Sequence, residues 1–197
     1  YYIWLSEVIL QQTRVAQGLK YYYKFIEHYP TIQDLAAANE DEVLKLWQGL
    51  GYYSRARNIL ATARDVVNQY NGEFPSTFTE LKKLKGVGDY TAAAIASFAF
   101  GEAVPVVDGN VSRVISRYFG VEEAIDGNHG KKLIRNIVGQ EMDRSNPALF
   151  NQAIMEYGAM VCTPKSPNCA SCELRAGCYA YANQKVELLP LKAKKLI

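Results

Sequence analysis

A tight turn is predicted by the stretch Leu84-Lys85-Gly86-Val87-Gly88-Asp89-Tyr90-Thr91. Two glycines around one apolar residue allow a turn with positive φ, and Val87 is expected to fill its core. A short helix precedes the turn and an Ala-rich helix follows it, and the N–H groups at the start of that second helix suit a phosphate. This arrangement predicts a helix-hairpin-helix, a unit that binds the DNA backbone without reading its sequence. We predict DNA contacts from Lys85, Gly86, Val87 and Gly88, although a Gly-x-Gly pair taken alone is often only a turn.

Helical periodicity dominates the chain on both sides of this hairpin. Asn39 is predicted to cap a helix that has acidic residues in its first turn, and Asn71-Gly72 is predicted to end another. No stretch shows convincing strand alternation, so the fold class is predicted as all-α. The predicted helices cover residues 3–14, 20–29, 40–48, 54–70, 76–84, 89–100, 110–119, 130–142 and 147–161.

Asp108 follows an apolar run at a predicted helix start, about 20 residues after the hairpin. One interpretation is a plain helix cap. The other is a carboxylate held at the mouth of a cleft. Glu7 has two interpretations as well. It is either a solvated helix charge or, because Val8, Ile9 and Leu10 follow it, a buried carboxyl with a raised pKa.

The four cysteines of the chain lie together at Cys162, Cys169, Cys172 and Cys178. A disulfide framework would spread them along the sequence, so the cluster predicts a four-thiolate metal site. Zinc and a [4Fe–4S] cluster both accept four cysteines. The presence of only one Cys-x-x-Cys pair leans modestly toward iron–sulfur.

Composition fits an ordinary globular protein, with 49% hydrophobic residues, 21% charged residues and a net charge of +2. That charge does not by itself indicate a nucleic-acid binder. No apolar run is long enough to span a membrane and no signal segment is recognisable. We therefore expect an intracellular protein without a membrane partner. Several short clusters of basic residues belong either to solvated helix faces or to a DNA-binding face. These clusters are Arg55/Arg57, Lys82/Lys83/Lys85, Arg113/Arg117 and Lys131/Lys132.

The hairpin, the trailing aspartate and the cysteine loop occur in an order that resembles the helix-hairpin-helix DNA glycosylase superfamily, in its endonuclease III branch. Over essentially its whole length the chain looks like a MutY adenine DNA glycosylase. Besides the hairpin and the cysteine spacing, three segments carry this resemblance: Trp4-Leu5-Ser6-Glu7-Val8-Ile9-Leu10-Gln11-Gln12-Thr13, Gly49-Leu50-Gly51-Tyr52-Tyr53-Ser54-Arg55-Ala56-Arg57-Asn58 and Val107-Asp108-Gly109-Asn110-Val111.

The resemblance implies removal of adenine mispaired with 8-oxoguanine or guanine in double-stranded DNA. Glu7 would be the general acid on the base, and Asp108 would stabilise the sugar cation, oriented by Asn110 and Tyr90. Bifunctional relatives carry a Schiff-base lysine where Tyr90 stands, so base removal without efficient strand cleavage is implied. Thymine-mismatch relatives can also carry Tyr there but are not expected to have an acid at Glu7.

The resemblance also implies how DNA and a cofactor are held. Gln12, Thr13, Leu50 and Tyr52 would contact the opposite base and fill the stack once adenine is flipped out, although core packing is an alternative for Leu50 and Tyr52. The four cysteines would hold a [4Fe–4S] cluster. The rival hypotheses are a thymine-mismatch or pyrimidine glycosylase on the same scaffold and a non-catalytic helical DNA-binding module with zinc.

Two modules are implied: a six-helix barrel with the helix-hairpin-helix over 1–102, and an iron–sulfur cluster module over 103–197. Family members also have an upstream Trp- and Arg-containing segment and a Nudix-like lesion-recognition domain. Neither is found in this sequence, so poor lesion discrimination is expected. The chain opens at Tyr1 and ends at Lys194-Lys195-Leu196-Ile197, and we expect both ends to be cuts. We expect a monomer, located in the cytoplasm of a bacterium or the nucleus of a eukaryote.

Overall fold

A computed structural model of the chain describes residues 1–193, so the predicted cut at 194–197 lies outside the described residues. The described part is helical and contains no β-strand, which confirms the all-α class. It also holds no helix long and apolar enough to cross a bilayer. The helices are α1 (Tyr2–Leu10), α2 (Val15–His28), α3 (Ile32–Ala37), α4 (Glu40–Trp47), α5 (Ser54–Tyr70), α6 (Phe78–Leu81), α7 (Asp89–Phe100), α8 (Gly109–Phe119), α9 (Asn128–Glu141), α10 (Pro147–Met160) and α11 (Tyr179–Ala182).

The chain divides into two compact units, Tyr1–Glu102 and Ala103–Ile197. The identification of the first unit as a six-helix barrel module and of the second as an iron–sulfur cluster module remains a prediction. In the first unit α1 packs against α2, α5 and α7, while α5 also contacts α3 and α4. The large side chains that fill this first core are almost completely buried; they are Trp4, Leu5, Ile9, Phe25, Leu35, Trp47, Ile59, Leu60, Leu81 and Ile95.

The second unit is organised around α8, which contacts α9, α10 and α11. Its buried core consists of apolar side chains at helical spacing on α8 and α9 together with the loop between them. These core residues are Val111, Ile115, Val121, Ile134 and Val138. The cysteine loop, 162–178, follows α10 and includes two short 3-10 turns.

Helix caps decide several boundaries as the sequence predicts. The Asn39 side chain accepts a hydrogen bond from the Asp41 N–H at 3.0 Å, which satisfies a donor of the first turn of α4. Asn71 ends α5 in the left-handed conformation with φ 54°. The predicted helices over 54–70 and 89–100 have the observed bounds.

Several details differ from the prediction, among them the start of α2 at Val15 rather than at residue 20 and the unanticipated helix α11. The first helix ends at Leu10 rather than near residue 14, because Gln12 adopts a positive φ of 53°. Helix α3 was not anticipated; a reciprocal capping box between Thr31 and Asp34 starts it. Thr77, rather than Ser76, caps α6, since the Thr77 side chain accepts from the Glu80 N–H.

Candidate functional site

Glu7 lies on α1 among buried neighbours and is itself half-buried. Burial raises the pKa of its carboxyl above the ordinary value, and a hydrogen bond from Tyr90 lowers it in part. The expected direction of the Glu7 pKa shift is therefore confirmed. A carboxyl held in this way is a candidate proton donor at a pH where most glutamates have lost the proton.

The contact between Tyr90 and Glu7 was not anticipated. The family resemblance implies instead that Tyr90 orients Asp108. Tyr90 is the second residue of α7, the helix that packs on α1. The next residue, Thr91, accepts a hydrogen bond from the Gln11 side chain at 3.1 Å. Two neighbouring side chains of α7 therefore tie its start to α1 and to the turn that follows α1.

The predicted hairpin is present ahead of α7, with one correction. Gly86 has a φ of +74°, and a Cβ there would lie 2.7 Å from the Asn58 side chain, so glycine is required. Gly88 has a φ of −85°, so only the first glycine needs the left-handed region. Val87 is buried as expected, and the Lys85 carbonyl accepts from the Thr62 hydroxyl at 2.6 Å.

The start of α7 offers little steric obstruction to a ligand. No side chain caps the helix at Gly88, and a Cβ added there would meet nothing within 4 Å. This is the geometry that the phosphate hypothesis requires. Of the nearby lysines, Lys82 pairs with Asp89 at 2.6 Å and Lys83 with Glu80 at 2.6 Å, whereas Lys85 is exposed.

Two turns carry the residues expected to meet the opposite strand. Gln12 is exposed and Thr13 is half-buried in the turn after α1. In the turn before α5, Tyr52 is 65% exposed with a φ of 49°, whereas Leu50 is only 6% exposed. The exposure of Tyr52 suits a ligand contact, while Leu50 fits the core-packing alternative.

In the second unit, Asp108 is the N-cap of α8. Its carboxylate accepts from the Val111 N–H at 2.7 Å and from the Asn110 side-chain amide at 2.9 Å. The Asn110 amide oxygen in turn accepts from Arg113 at 2.8 Å. The predicted pairing of Asn110 with Asp108 is present, and so is the capping role that the sequence left open.

Three arginines, for which the sequence left open a solvated helix face or a DNA-binding face, are buried, so neither interpretation fits them. Arg113 donates to the Cys162 carbonyl at 2.7 Å, and Arg117 donates to the Thr163 carbonyl at 2.7 Å. Both guanidinium groups thus hold the start of the cysteine loop. Arg55 is the third and contacts carbonyls at the end of α1.

The cysteine loop brings all four thiols into partly buried positions. Burial raises the pKa of Cys169, and the other three thiols raise it further, so the four sulfurs influence one another. Arg117 lies 3.4 Å from the Cys162 sulfur, and the Tyr157 hydroxyl lies 2.9 Å from the Cys172 sulfur. In the described part of the chain, no group of three or more His, Cys, Asp or Glu residues is arranged as a metal-ion site. The four-thiolate donor set with an adjacent cation nevertheless fits an iron–sulfur cluster.

Residues 5–139 match the model of the HhH-GPD superfamily base excision DNA repair proteins. The chain is 46% identical to an adenine DNA glycosylase of Homo sapiens over 188 residues, which are 95% of the chain and 34% of that protein. It is 39% identical to an adenine DNA glycosylase of Buchnera aphidicola subsp. Schizaphis graminum, covering all of the chain and 57% of that protein. The chain thus spans between a third and three fifths of the length of these relatives.

Solved structures that resemble this chain indicate the same class of DNA repair protein. A thermostable thymine-DNA glycosylase superposes with a TM-score of 0.85 at 31% identity, over 93% of this chain and 84% of that one. A trapped endonuclease III–DNA covalent intermediate gives a TM-score of 0.79 at 27% identity, over 92% and 84%. The chain therefore belongs to the HhH-GPD superfamily of base excision DNA repair proteins, and the curated relatives that it matches over nearly its whole length are adenine DNA glycosylases, as the resemblance to MutY predicts.

Proposed function

We propose that this chain is the catalytic region of a monofunctional adenine DNA glycosylase. It hydrolyses the N-glycosidic bond of adenine mispaired with 8-oxoguanine or guanine in double-stranded DNA. The observation that carries the proposal is the Glu7 carboxyl, whose pKa burial raises. The similarity to curated adenine glycosylases supports the same assignment.

Glu7 acts on the base. Adenine leaves deoxyribose poorly as an anion, so N7 of the ring must receive a proton, and the base then departs as neutral adenine. A carboxyl with a raised pKa retains the proton needed for this step. Glu7 donates that proton to N7.

Asp108 acts on the sugar. Loss of the base leaves an oxocarbenium-like cation, which a carboxylate stabilises or traps before water adds. The Asn110 amide donates to the Asp108 carboxylate and fixes its orientation. Asn110 is thereby a positioning residue for Asp108.

Tyr90 makes the enzyme monofunctional. A phenol forms no Schiff base with the sugar aldehyde, so strand cleavage through that intermediate does not occur. The Tyr90 hydroxyl instead donates to Glu7 and tunes the pKa of the acid.

DNA is held mainly by backbone contacts and by stacking. The hairpin residues Lys85–Gly88 bind phosphate, a role supported by the uncapped start of α7. The base opposite the flipped adenine is contacted by Gln12, Thr13 and Tyr52. The buried side chain of Leu50 supports the turn before α5. Related solved structures that contain DNA support the proposal that this chain binds DNA.

The four cysteines hold a [4Fe–4S] cluster. When bound, the cluster cross-links the loop of residues 162–178 and supplies no step of the hydrolysis. Iron analysis of protein purified without exposure to oxygen is expected to give about four iron atoms per chain. Zinc in stoichiometric amount, with no iron, would contradict this assignment.

A time course of base release tests the proposed activity. We expect adenine to be released from an adenine:8-oxoguanine duplex, with an abasic strand that stays intact until it is treated with alkali. A thymine:guanine duplex of the same sequence serves as the control. Release of thymine and not adenine would instead favour the thymine-mismatch alternative.

A further inference from the structure

Arg55 lies buried at the end of α1, although it belongs to the first turn of α5. A helix dipole disfavours a cation at that position, so the side chain needs another partner. Its Nη1 donates to the carbonyls of Val8, Ile9 and Gln11 at 3.2, 3.0 and 2.6 Å. These carbonyls belong to the end of α1 and the turn that follows, where helical partners are missing.

The same guanidinium reaches a second turn. Its Nη2 donates to the Gly51 carbonyl at 3.3 Å, and the group lies over the Tyr52 ring at 5.6 Å. The guanidinium also lies 5.0 Å from the centroid of the Trp47 ring, and the Trp47 indole N–H donates to the Gly51 carbonyl at 2.8 Å. One buried cation therefore contacts both turns, the one after α1 and the one before α5.

Both turns contain a non-glycine residue with a positive φ, namely Gln12 at 53° and Tyr52 at 49°. Such residues are uncommon and persist when the surrounding structure holds them. Arg55 supplies part of that surrounding structure, because its donors are fixed in a rigid planar fork.

We propose that Arg55 is the positioning residue that fixes the Gln12–Thr13 turn and the Gly51–Tyr52 turn relative to each other, so that both meet the opposite base together. This inference rests on the proposed function for its last step. The geometric part, coupling of the two turns, stands on the contacts of Arg55. Arg55 acts through these turns and touches no reacting atom.

Three variants test the proposal. Arg55→Met removes the donors and keeps an apolar stem, whereas Arg55→Lys keeps the charge without the fork. Arg64→Met is the matched control, because Arg64 also donates to carbonyls of a helix end in the same unit, those of Ala36 and Ala38 at 3.2 and 3.0 Å.

Hydrogen exchange reports the coupling without reference to catalysis. We expect the amides of Gln11, Thr13 and Leu50, which are hydrogen-bonded in the two turns, to exchange faster in both Arg55 variants. Arg64→Met is expected to leave them at the wild-type rate. Exchange that changes in one turn alone, or equally in Arg64→Met, would overturn the coupling. If Arg55→Met fails to fold, Arg55→Lys decides the question.

Two functional readouts follow: the fluorescence of an adenine-containing duplex with 2-aminopurine as the opposite base, and adenine release from the adenine:8-oxoguanine duplex. Wild-type protein is expected to unstack that base and raise its fluorescence, and the Arg55 variants are expected to lose the rise. Their single-turnover rate of adenine release should fall about 10²-fold, as for a misplaced contact, while affinity for an undamaged duplex stays the same. A normal fluorescence rise in Arg55→Lys would overturn the positioning role. If wild-type protein releases no adenine, the proposed function fails, whereas the exchange result still decides the coupling.

Discussion

Glu7 and Asp108 are both carboxylic acids, yet the two units of the chain give them opposite surroundings. Glu7 sits within a packed helix, where burial disfavours its charged form and raises its pKa. Asp108 sits at a helix start, where a backbone N–H and the Asn110 amide donate to its two oxygens. Helix starts favour negative charge, whereas apolar helix faces oppose it. This difference in surroundings supports the proposed division of roles, in which Glu7 donates a proton and Asp108 stabilises positive charge.

The largest expected effect comes from removing the proton of Glu7. Glu7→Gln should reduce the single-turnover rate of adenine release by about 10²–10⁴-fold, the usual contribution of general acid catalysis. Binding to the duplex, measured by fluorescence anisotropy, should be retained. Glu27→Gln on the exposed face of α2 is the control, since it makes the same substitution at a position remote from the proposed chemistry. A rate for Glu7→Gln near that of the control would defeat the acid assignment.

Asp108→Asn removes the negative charge of the second acid but keeps a side chain that can cap α8. Asparagine caps helices about as well as aspartate, so the thermal midpoint should change little. The rate of adenine release should fall by about 10²–10³-fold, the usual size of a lost electrostatic contribution. Turnover close to wild type would leave Asp108 as a helix cap alone.

Tyr90→Lys tests whether residue 90 decides between base removal alone and base removal with strand cleavage. A lysine here places an amine beside Glu7, and we expect a small fraction of the substrate to form a Schiff base with it. Sodium borohydride should trap this species as a protein–DNA adduct visible by denaturing electrophoresis. Tyr90→Phe is the control, and absence of an adduct with lysine would contradict the inferred proximity of residue 90 to the sugar.

The smallest expected effect is on stability. Because the folded pKa of Glu7 lies above its unfolded value, the folded state keeps a proton that the unfolded state has already released. Its favourable contribution is therefore complete below the unfolded pKa and is lost as pH rises through the folded pKa. The thermal midpoint of Glu7→Gln relative to wild type should rise across that window. A difference that is independent of pH would contradict the raised pKa.

Much of the fold was accessible from local sequence. Helix 54–70 is periodic and helix 89–100 is rich in alanine; both have clear ends, Asn71 in one case and Gly101 in the other, and both were predicted with the observed bounds. The end of α1 was missed because the left-handed turn at Gln12 carries no glycine. Part of the support for that turn comes from the side chains of Arg55 and Thr91, which lie in distant parts of the chain.

The residues of the candidate site could be predicted from the sequence, whereas several of the contacts between them could not. Motifs indicated Glu7, Asp108 and the cysteines, and the apolar residues that follow Glu7 indicated why it would be buried. The partner of Tyr90 and the buried role of Arg113 depend on how helices pack, which local patterns do not specify. The arginine in the first turn of α5 is a recognisable anomaly, since the helix dipole opposes it.

The pH dependence of adenine release in wild-type protein and in Tyr90→Phe tests the central claim most directly. If Glu7 donates the proton, the single-turnover rate falls as pH rises through the Glu7 pKa. Loss of the Tyr90 hydrogen bond removes an interaction that lowers this pKa, so the falling limb should move to higher pH in Tyr90→Phe. Tyr23→Phe, an exposed tyrosine on α2, should leave the limb in place. A limb at the same pH in all three proteins, or a rate that increases with pH, would contradict the account.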